Sequence, residues 1–483
     1  MASTTDDREV PVDRAASSSR LALSGLCISM LLSSLGTSIA NVALPTFAGA
    51  FGASFQQVQW VVLSYLLTIT ALIVGAGRLG DMFGKRRILL AGILIFVATS
   101  VLCGMAATLD MLIIARAAQG AGAAMSMALT LALVAETVPK GRIGSAMGLL
   151  GTMSAIGTAL GPSLGGLLIA GFGWRSIFFV SVPLGIVAFA LVYRHQPPDR
   201  PQMVPDRARF DVLGTLLLAM TLAAYALAMT VGKGHFGPTN ALLLLASAGG
   251  AFFFVRVERK ALSPLVRLGM LRDPALRGGL AMSALVVTVM MATLVVGPFY
   301  LALTLGLDAA LVGLVMSAGP VVAALAGVPA GRLADRFGSE RMIVSGLIAV
   351  VAGSLLMSAL PPSLGVAGYL VSMAVMTAGY ALFQAANNSI VMAGVDPGQR
   401  GVISGLLNLS RNLGLITGAS VMGAIFSIAA GSGDIAAAPS AAVAFGLRIT
   451  FAVGTLLAAS ALALAVAGRA TADRQAIPAS TCI

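Results

Sequence analysis

The chain contains the stretch GRLGDMFGKRR at Gly77–Arg87 and, 254 residues later, the stretch GRLADRFGSER at Gly331–Arg341. Seven of the eleven positions are identical, including two glycines, the aspartate and two arginines. Weak internal symmetry of this kind indicates that a chain is built from repeated units. Because each copy directly follows a long apolar run, the sequence predicts two related halves that carry the motif at the same point.

The composition is that of a protein embedded in a lipid bilayer. Of the 483 residues, 58% are hydrophobic and 10% are charged, and the mean hydropathy is +0.96, whereas soluble domains carry about 25% charged residues. Since about 20 apolar residues cross the hydrocarbon core, the sequence predicts an all-α integral membrane protein of about fourteen transmembrane helices. The predicted spans are Leu21–Ala50, Val58–Gly77, Ile88–Ala107, Met111–Val138, Ile143–Ala170, Trp174–Tyr193, Val212–Val231, Asn240–Val255, Gly278–Leu303, Leu311–Ala330, Met342–Leu360, Leu364–Ala393, Val402–Ala429 and Phe445–Ala467.

The basic side chains predict the orientation of these spans. Of the 30 lysines and arginines, 25 fall on the side of the N-terminal tail, Arg175 and Lys233 fall on the other side, and Arg116, Arg411 and Arg448 lie within spans. Loops rich in Lys and Arg stay in the cytosol, so both termini are expected there. The net charge of +12 is therefore a topology signal, and no nucleic-acid partner is needed to explain it.

The spans and the repeat together predict the domain organisation. We expect a cytosolic tail (1–20), an N-terminal six-helix half (21–193), linker segments with two extra helices (194–277), a C-terminal six-helix half (278–467) and a second cytosolic tail (468–483). The two extra helices lie outside the repeat and are predicted to be peripheral to the path between the two halves. Two parallel halves can rock about a site at the membrane midplane.

Four further stretches carry a family resemblance: NVALP (Asn41–Pro45), RAAQGAGAA (Arg116–Ala124), GTALGPSLGG (Gly157–Gly166) and RGVISGLLNLSRNLG (Arg400–Gly414). With the repeated motif, they make the chain resemble the major facilitator superfamily, in its fourteen-helix drug:proton antiporter-like branch, from Leu21 to Ala467. The resemblance implies the major facilitator fold and alternating access. It also implies a small organic substrate, with the proton as coupling ion.

The repeated motif is interpreted as a gating loop. The resemblance implies that it latches the two halves together on the cytosolic side, whereas the simpler alternative is a solvated basic turn that only fixes topology. Its glycines would let helix ends approach closely, because they carry no Cβ. The predicted gating residues are Gly77, Arg78, Asp81, Gly84, Arg87, Gly331, Asp335 and Gly338.

The fifth span has glycines at four-residue spacing around a proline. Small residues at this spacing allow two helices to pack backbone to backbone in lipid, and a proline inside a membrane helix permits a bend. A generic packing face is one interpretation, and the resemblance implies a motif typical of exporters. The residues concerned are Gly157, Gly161, Pro162, Gly165 and Gly166.

Polar side chains within the spans are candidates for a central substrate cavity. Arg116 is the most informative of them, because a charge inside the membrane is by default functional. The alternative is a structural arginine that bonds backbone carbonyls. The cavity candidates are Asn41, Tyr65, Arg116, Gln119, Gln384, Asn387, Asn388 and Arg411.

One position departs from the family pattern. Where the branch usually has an aspartate in helix one, this chain has Gly36, and none of the 18 acidic residues falls in the middle of a predicted span. Asp110, Glu136 or Asp81 would have to bind the proton, or the coupling differs from the family norm. Two histidines and three cysteines offer no metal site, and we expect no cofactor.

The favoured function is a secondary active transporter of the cytoplasmic (inner) membrane that exports a toxic or drug-like compound. The alternative is an uptake carrier for a vitamin-like heterocycle such as riboflavin. A membrane-embedded enzyme or receptor ranks last, because an enzyme would need clustered acids, histidines or a nucleophile beside a base.

Overall fold

The computed structural model describes residues 12–137, 143–199, 211–231, 237–261, 269, 272–392, 400–431, 435 and 438–476. All regular elements in these ranges are helices, which confirms the all-α class. Fourteen helical segments of the described chain are long and apolar enough to cross a membrane, which confirms the predicted number of spans.

The helices of the first half and of the extra pair come first in the chain. The first half contains α1 (Val12–Val42), α2 (Leu44–Phe51), α3 (Phe55–Phe83), α4 (Lys85–Gly104), α5 (Leu109–Thr137), α6 (Ile143–Phe172), α7 (Ser176–Phe179) and α8 (Ser181–His195). The extra pair is α9 (Val212–Thr230) and α10 (Pro238–Glu258).

The second half includes two short π-helical turns. Its helices are α11 (Pro274–Phe299), α12 (Ala309–Phe337), α13 (Ser339–Ser358), α14 (Gly365–Met392), α15 (Arg400–Thr417), α16 (Gly423–Ala429) and α17 (Ser440–Ala476). One π-turn, Tyr300–Thr304, extends α11, and the other, Gly418–Met422, joins α15 to α16.

The helix boundaries differ from the predicted spans at both ends of the chain. The first span is two helices rather than one, because Pro45 lies in the first turn of α2 and cannot continue the hydrogen-bond ladder of α1. Residues 12–20, predicted as tail, already belong to α1, and the last helix continues to Ala476 instead of ending at Ala467.

The repeated motif is helical, so the prediction of a loop is wrong over most of its length. Helix α3 continues through the first copy to Phe83, and α4 begins at Lys85. Only Gly84 lies between them, with φ +101°, and Gly338 has φ +87° at the same place between α12 and α13. This backbone region favours glycine. We call the membrane face that carries Gly84 and Gly338 the motif side.

The glycines of α6 let that helix pack closely on two neighbours. A Cβ on Gly157 would lie 2.5 Å from the Leu31 carbonyl oxygen of α1, and one on Gly161 would collide with Ser38. A Cβ on Gly166 would lie 2.5 Å from the carbonyl oxygen of Ala309 in α12. Helix α6 therefore joins its own half to the other half at the end remote from the motif side.

Helix α9 contacts both halves, and the expectation that the extra pair is peripheral to the transport path stays a prediction. The Trp60 indole of α3 donates to the Thr230 hydroxyl at 3.1 Å. The Tyr225 hydroxyl lies 3.3 Å from the Thr417 hydroxyl at the end of α15. Helix α10 packs against α9, and Asn240 donates to the Ala228 carbonyl at 2.7 Å.

Candidate transport site

Arg116 lies inside the first half with its guanidinium fully enclosed. The residue is 0% exposed. Its Nε donates to the Val61 carbonyl at 3.0 Å, its Nη2 donates to the Gly36 carbonyl at 2.9 Å, and its Nη1 donates to Gln119 Oε1 at 2.6 Å. The guanidinium carbon also lies 4.1 Å from the centre of the Tyr65 ring. Carbonyl and amide oxygens therefore solvate this charge, and a cation–π contact adds to them.

The groups around Arg116 continue the network. Gln119 Nε2 donates to the Ser100 hydroxyl at 2.7 Å, and Ser100 donates to the Phe96 carbonyl at 2.7 Å. The Tyr65 hydroxyl donates to the Ser33 carbonyl at 2.8 Å. One arginine thus ties α1, α3, α4 and α5 together, because each of these helices supplies a group to the network.

Gly36 sits where a larger residue has no room. A Cβ there would lie 2.7 Å from the Tyr65 hydroxyl oxygen and 3.2 Å from Phe96 Cζ. Tyr65 is itself 0% exposed. At position 36, where the family resemblance leads one to expect an aspartate, Tyr65 therefore packs closely against the backbone of α1.

We expect Gly36→Ala to lower the free energy of unfolding by about 1–3 kcal/mol, the usual cost of overpacking a core. Thermal unfolding in detergent measures the change. Gly49→Ala in α2 is the matched control, because nothing lies within 4 Å of a Cβ at Gly49. Equal melting temperatures for the two variants would contradict the close packing at Gly36.

The other predicted cavity residues lie in different environments. Asn41 is buried and donates back to the Thr37 carbonyl of its own helix at 3.0 Å. Asn387 is buried and donates to the Gly279 carbonyl at 3.2 Å, whereas Asn388 is exposed. Asn41, Tyr65, Arg116 and Gln119 therefore lie within the helix packing of this conformation.

Gln384 and Arg411 come together in the second half. In the amide orientation that satisfies its hydrogen bonds, Gln384 Oε1 lies 3.1 Å from Arg411 Nη1 and 3.3 Å from Nε and Nη2. Its Nε2 then donates to the Tyr380 hydroxyl at 3.3 Å. All three side chains are half-buried. We call Tyr380, Gln384 and Arg411 the arginine cluster.

The two halves meet at the end remote from the motif side, in a contact that we call the seal. Phe55 of α3 packs edge-on against Phe299, with ring centroids 4.8 Å apart, and against Phe426 at 5.5 Å. Gln56 Nε2 donates to the Ser427 hydroxyl at 2.6 Å. The seal consists of Phe55, Gln56, Gln59, Phe299, Ala419, Gly423, Phe426 and Ser427.

Gln59 reaches into the seal because a π-turn offers it a carbonyl acceptor and a glycine leaves space for its amide. Gln59 Nε2 donates at 2.9 Å to the carbonyl of Ala419, which lies within the π-turn Gly418–Met422. The Gln59 amide also rests on Gly423, where any Cβ would collide with it. Isolated π-turns are frequent at functional sites. Sequence reasoning missed the seal, since glutamines at the start of a span look like an ordinary helix end.

On the motif side, Asp199 caps the helix that follows Gly84. Its carboxylate oxygens accept from the backbone N–H groups of Arg86 at 2.8 Å and Arg87 at 3.2 Å. Arg86 also donates to the Tyr193 carbonyl. A carboxylate at a helix N-terminus is favourable. A Cβ on Gly84 would collide with Asp199, so this glycine does permit a close approach.

The remaining gating residues give less information. Nothing lies within 4 Å of a Cβ at Gly77, Gly331 or Gly338. Close packing therefore does not require glycine at these three positions in this conformation. The side chains of Arg78, Asp81 and Asp335, and that of Glu136, lie outside the part of the chain that the structure describes.

Comparison with known proteins identifies the family. The chain is 31% identical over 408 residues to the riboflavin transporter RibZ of Clostridioides difficile, across 83% of this chain and 87% of that protein. It is 32% identical over 406 residues to the drug efflux pump JefA of Mycobacterium tuberculosis, across 83% of this chain and 78% of that protein.

The fold comparison agrees with the sequence comparison. A bacterial homologue of the human lysosomal transporter Spinster, solved in an inward-facing and occupied conformation, superposes with a TM-score of 0.68 at 18% identity. The alignment covers 92% of this chain and 96% of that one. The family model of the Major Facilitator Superfamily matches residues 26–419. The chain therefore belongs to the major facilitator superfamily of membrane transporters.

Proposed function

We propose that this transporter exports an amphipathic organic compound from the cytosol by alternating access. The observation that carries the proposal is the seal, which closes the boundary between the halves at the end remote from the motif side. Gln56 and Gln59, both in the seal, donate hydrogen bonds from the first half to the second. A cavity between the halves would then open toward the motif side.

The orientation of the protein follows from its charges. The segments on the motif side carry 25 of the 30 lysines and arginines, and such segments stay in the cytosol. We therefore assign the motif side and both termini to the cytosol, in the inner membrane of a bacterium. In the observed conformation the carrier would receive its substrate from the cytosol, as an exporter must.

The direction of transport has support from relatives and from helix α6. The efflux pump JefA matches most of this chain, and α6 carries the glycine and proline pattern that the family resemblance connects with export. The alternative is uptake of a heterocycle, and the riboflavin transporter RibZ, which matches over a similar length, supports it.

The proton gradient is the proposed driving force. The described acidic residues lie near helix ends, as Asp110 does in the first turn of α5. Protonation would therefore occur near a membrane face, with Asp81, Asp110 and Glu136 as the candidate groups. This arrangement differs from a carboxylate in the middle of helix one.

Transport into vesicles of both orientations tests the proposal. Inside-out vesicles from cells that express the protein should accumulate fluorescein or rhodamine 6G when respiration acidifies their lumen, and nigericin should abolish the accumulation. Vesicles from cells without the protein are the control. Riboflavin accumulation in right-side-out vesicles, without dye accumulation in inside-out ones, would establish the uptake alternative.

Asp81→Asn should largely abolish transport at equal protein level, because both copies of the motif contain this aspartate although topology requires only their basic residues. Asp308→Asn is the matched control. Asp308 caps α12 on the other side of the membrane by accepting from the Leu311 N–H at 2.8 Å, and asparagine caps helices about as well as aspartate. Normal transport rates in Asp81→Asn would restrict the motif to a topological role.

A further inference from the structure

We propose that the arginine cluster is an anion-binding subsite of the transport cavity and takes the carboxylate of an amphipathic aromatic acid. The inference rests on the proposed transport function, since it names the substrate class. The charge that recognises the substrate is then Arg411, and Arg116, with its enclosed guanidinium, is a structural residue.

Arg411 lies deep in the membrane, where a positive charge has a high free-energy cost, and such charges are usually functional. Arg411 is eleven residues from the start of α15 at Arg400, or about 16 Å along the helix at 1.5 Å per residue. This distance is about half the thickness of the hydrocarbon core. Arginines at such depth face a bundle interior or a water-filled cavity.

The hydrogen bonds of Arg411 leave most of its donors available. A guanidinium has five N–H groups. Within the described part of the chain, Arg411 contacts the single oxygen Gln384 Oε1, at 3.1–3.3 Å, and no salt bridge to a carboxylate is formed. One carbonyl oxygen has two lone pairs, so at least three donors remain for water or a ligand.

Arg411 and Arg116 therefore differ in what their surroundings permit. Arg116 has three separate acceptors from three positions of the first half and is fully enclosed. Arg411 is half-buried and has one neutral acceptor. Only the second arrangement can accept a further negative group without dismantling the helix packing.

The two helices that carry the cluster, α14 and α15, both pack against α11. Helix α14 is held to α11 by the Asn387–Gly279 hydrogen bond, and α15 is held to α11 by Ser410, which donates to the Leu280 carbonyl at 2.6 Å. Gln384 is one helical turn from Asn387, and Arg411 follows Ser410. Helix α15, which carries Arg411, also packs against α3 of the other half, so this helix lies at the boundary between the halves.

The three side chains offer complementary chemistry to a carboxylate. The planar guanidinium can donate two parallel hydrogen bonds to its two oxygens. Tyr380 lies four residues from Gln384 and shares its helix face, so its hydroxyl can donate a third bond and its ring can contact an aromatic body. Gln384 holds the guanidinium and the phenol in place. A permanent cation would be repelled by Arg411.

Two xanthene dyes of opposite charge provide the probes. Fluorescein carries a carboxylate, whereas rhodamine 6G is an ester with a positive charge. We would measure binding of each dye to the purified full-length protein by fluorescence anisotropy, and transport in proteoliposomes. The wild type should bind fluorescein more tightly than rhodamine 6G.

Arg411→Gln should weaken fluorescein binding by about 10- to 100-fold, the range for loss of hydrogen bonds to a charged group, and leave rhodamine 6G binding unchanged or stronger. Arg411→Lys keeps the positive charge but cannot donate two parallel hydrogen bonds to a carboxylate, so it should weaken fluorescein binding by an intermediate factor. Arg448→Gln is the control, because Arg448 is exposed and donates to the Ser358 carbonyl at 3.2 Å. It should bind both dyes as the wild type does.

If Arg411→Gln does not fold, Tyr380→Phe tests the same subsite and should weaken fluorescein binding several-fold, with no change for rhodamine 6G. Unchanged fluorescein affinity in a folded cluster variant, or a wild type that prefers rhodamine 6G, would overturn the proposal. Export of rhodamine 6G without fluorescein binding would contradict the proposed subsite but support the proposed export function. Fluorescein binding that depends on Arg411, together with inward transport, would support the subsite but contradict the export function.

Discussion

Arg116→Gln is expected to destabilise the first half of the transporter by on the order of 2–6 kcal/mol. The substitution removes the donors to the Val61 and Gly36 carbonyls, both buried among α1, α3 and α5. Each buried acceptor left without a partner costs about 1–3 kcal/mol. Thermal unfolding of the purified protein in detergent, followed by tryptophan fluorescence and by precipitation, measures the loss.

The matched control for this variant is Arg411→Gln, which removes the same charge from the second half. Its only described partner is Gln384, so its melting temperature should stay close to that of the wild type. Arg116→Gln should lose transport of every substrate together with its stability. A stable Arg116→Gln protein with selectively weakened binding of one dye class would instead show direct contact between Arg116 and substrate.

Crosslinking of the seal should stop transport almost completely. In a cysteine-free background, Gln56→Cys and Ser427→Cys place one thiol in each half at positions whose native side chains are hydrogen-bonded at 2.6 Å. A short bis-methanethiosulfonate reagent can join them. Because a rocking carrier must separate these residues to open on that side, the joined protein should bind substrate from the motif side and release none.

Reversal of the crosslink by dithiothreitol is the internal control. The matched control is the single variant Ser427→Cys treated with the same reagent. Transport should return on reduction and should be unaffected in the single variant. Full transport by the crosslinked double variant would mean that the seal does not open during the cycle. The background replaces Cys27 and Cys103, which are buried, and Cys482.

The sequence predicted the number of spans because hydropathy alone determines which segments can leave water. It predicted the positions of breaks less well. A polar, glycine-containing motif looks like a loop, but α3 and α12 keep their internal hydrogen bonds through it, and the chain turns at Gly84 and Gly338. The effect of Pro45 on helix one could have been expected, since proline rarely continues a helix.

The candidate site was harder to predict, because one sequence does not give the direction in which a side chain points. Arg116 and Arg411 look equivalent as intramembrane arginines, and only the helix packing encloses one and leaves the other half-buried. Asp199 could not be placed from sequence either, since it reaches the helix after Gly84 from more than 100 residues away. The seal depends on a π-turn, which has no clear sequence signal.

The position of α9 makes the two flanks of the transporter unequal toward the surrounding lipid. One flank is the seam between α3 and α15, and the hydrogen bonds of Trp60 and Tyr225 attach α9 across it. Acyl chains are therefore kept away from that seam over the stretch from Tyr225 to Thr230. The other flank, between α6 and α12, has no such cover from the extra pair in the described chain. A compound dissolved in the bilayer would therefore reach the boundary between the halves from the α6–α12 flank. Lateral entry would occur on this flank rather than on both.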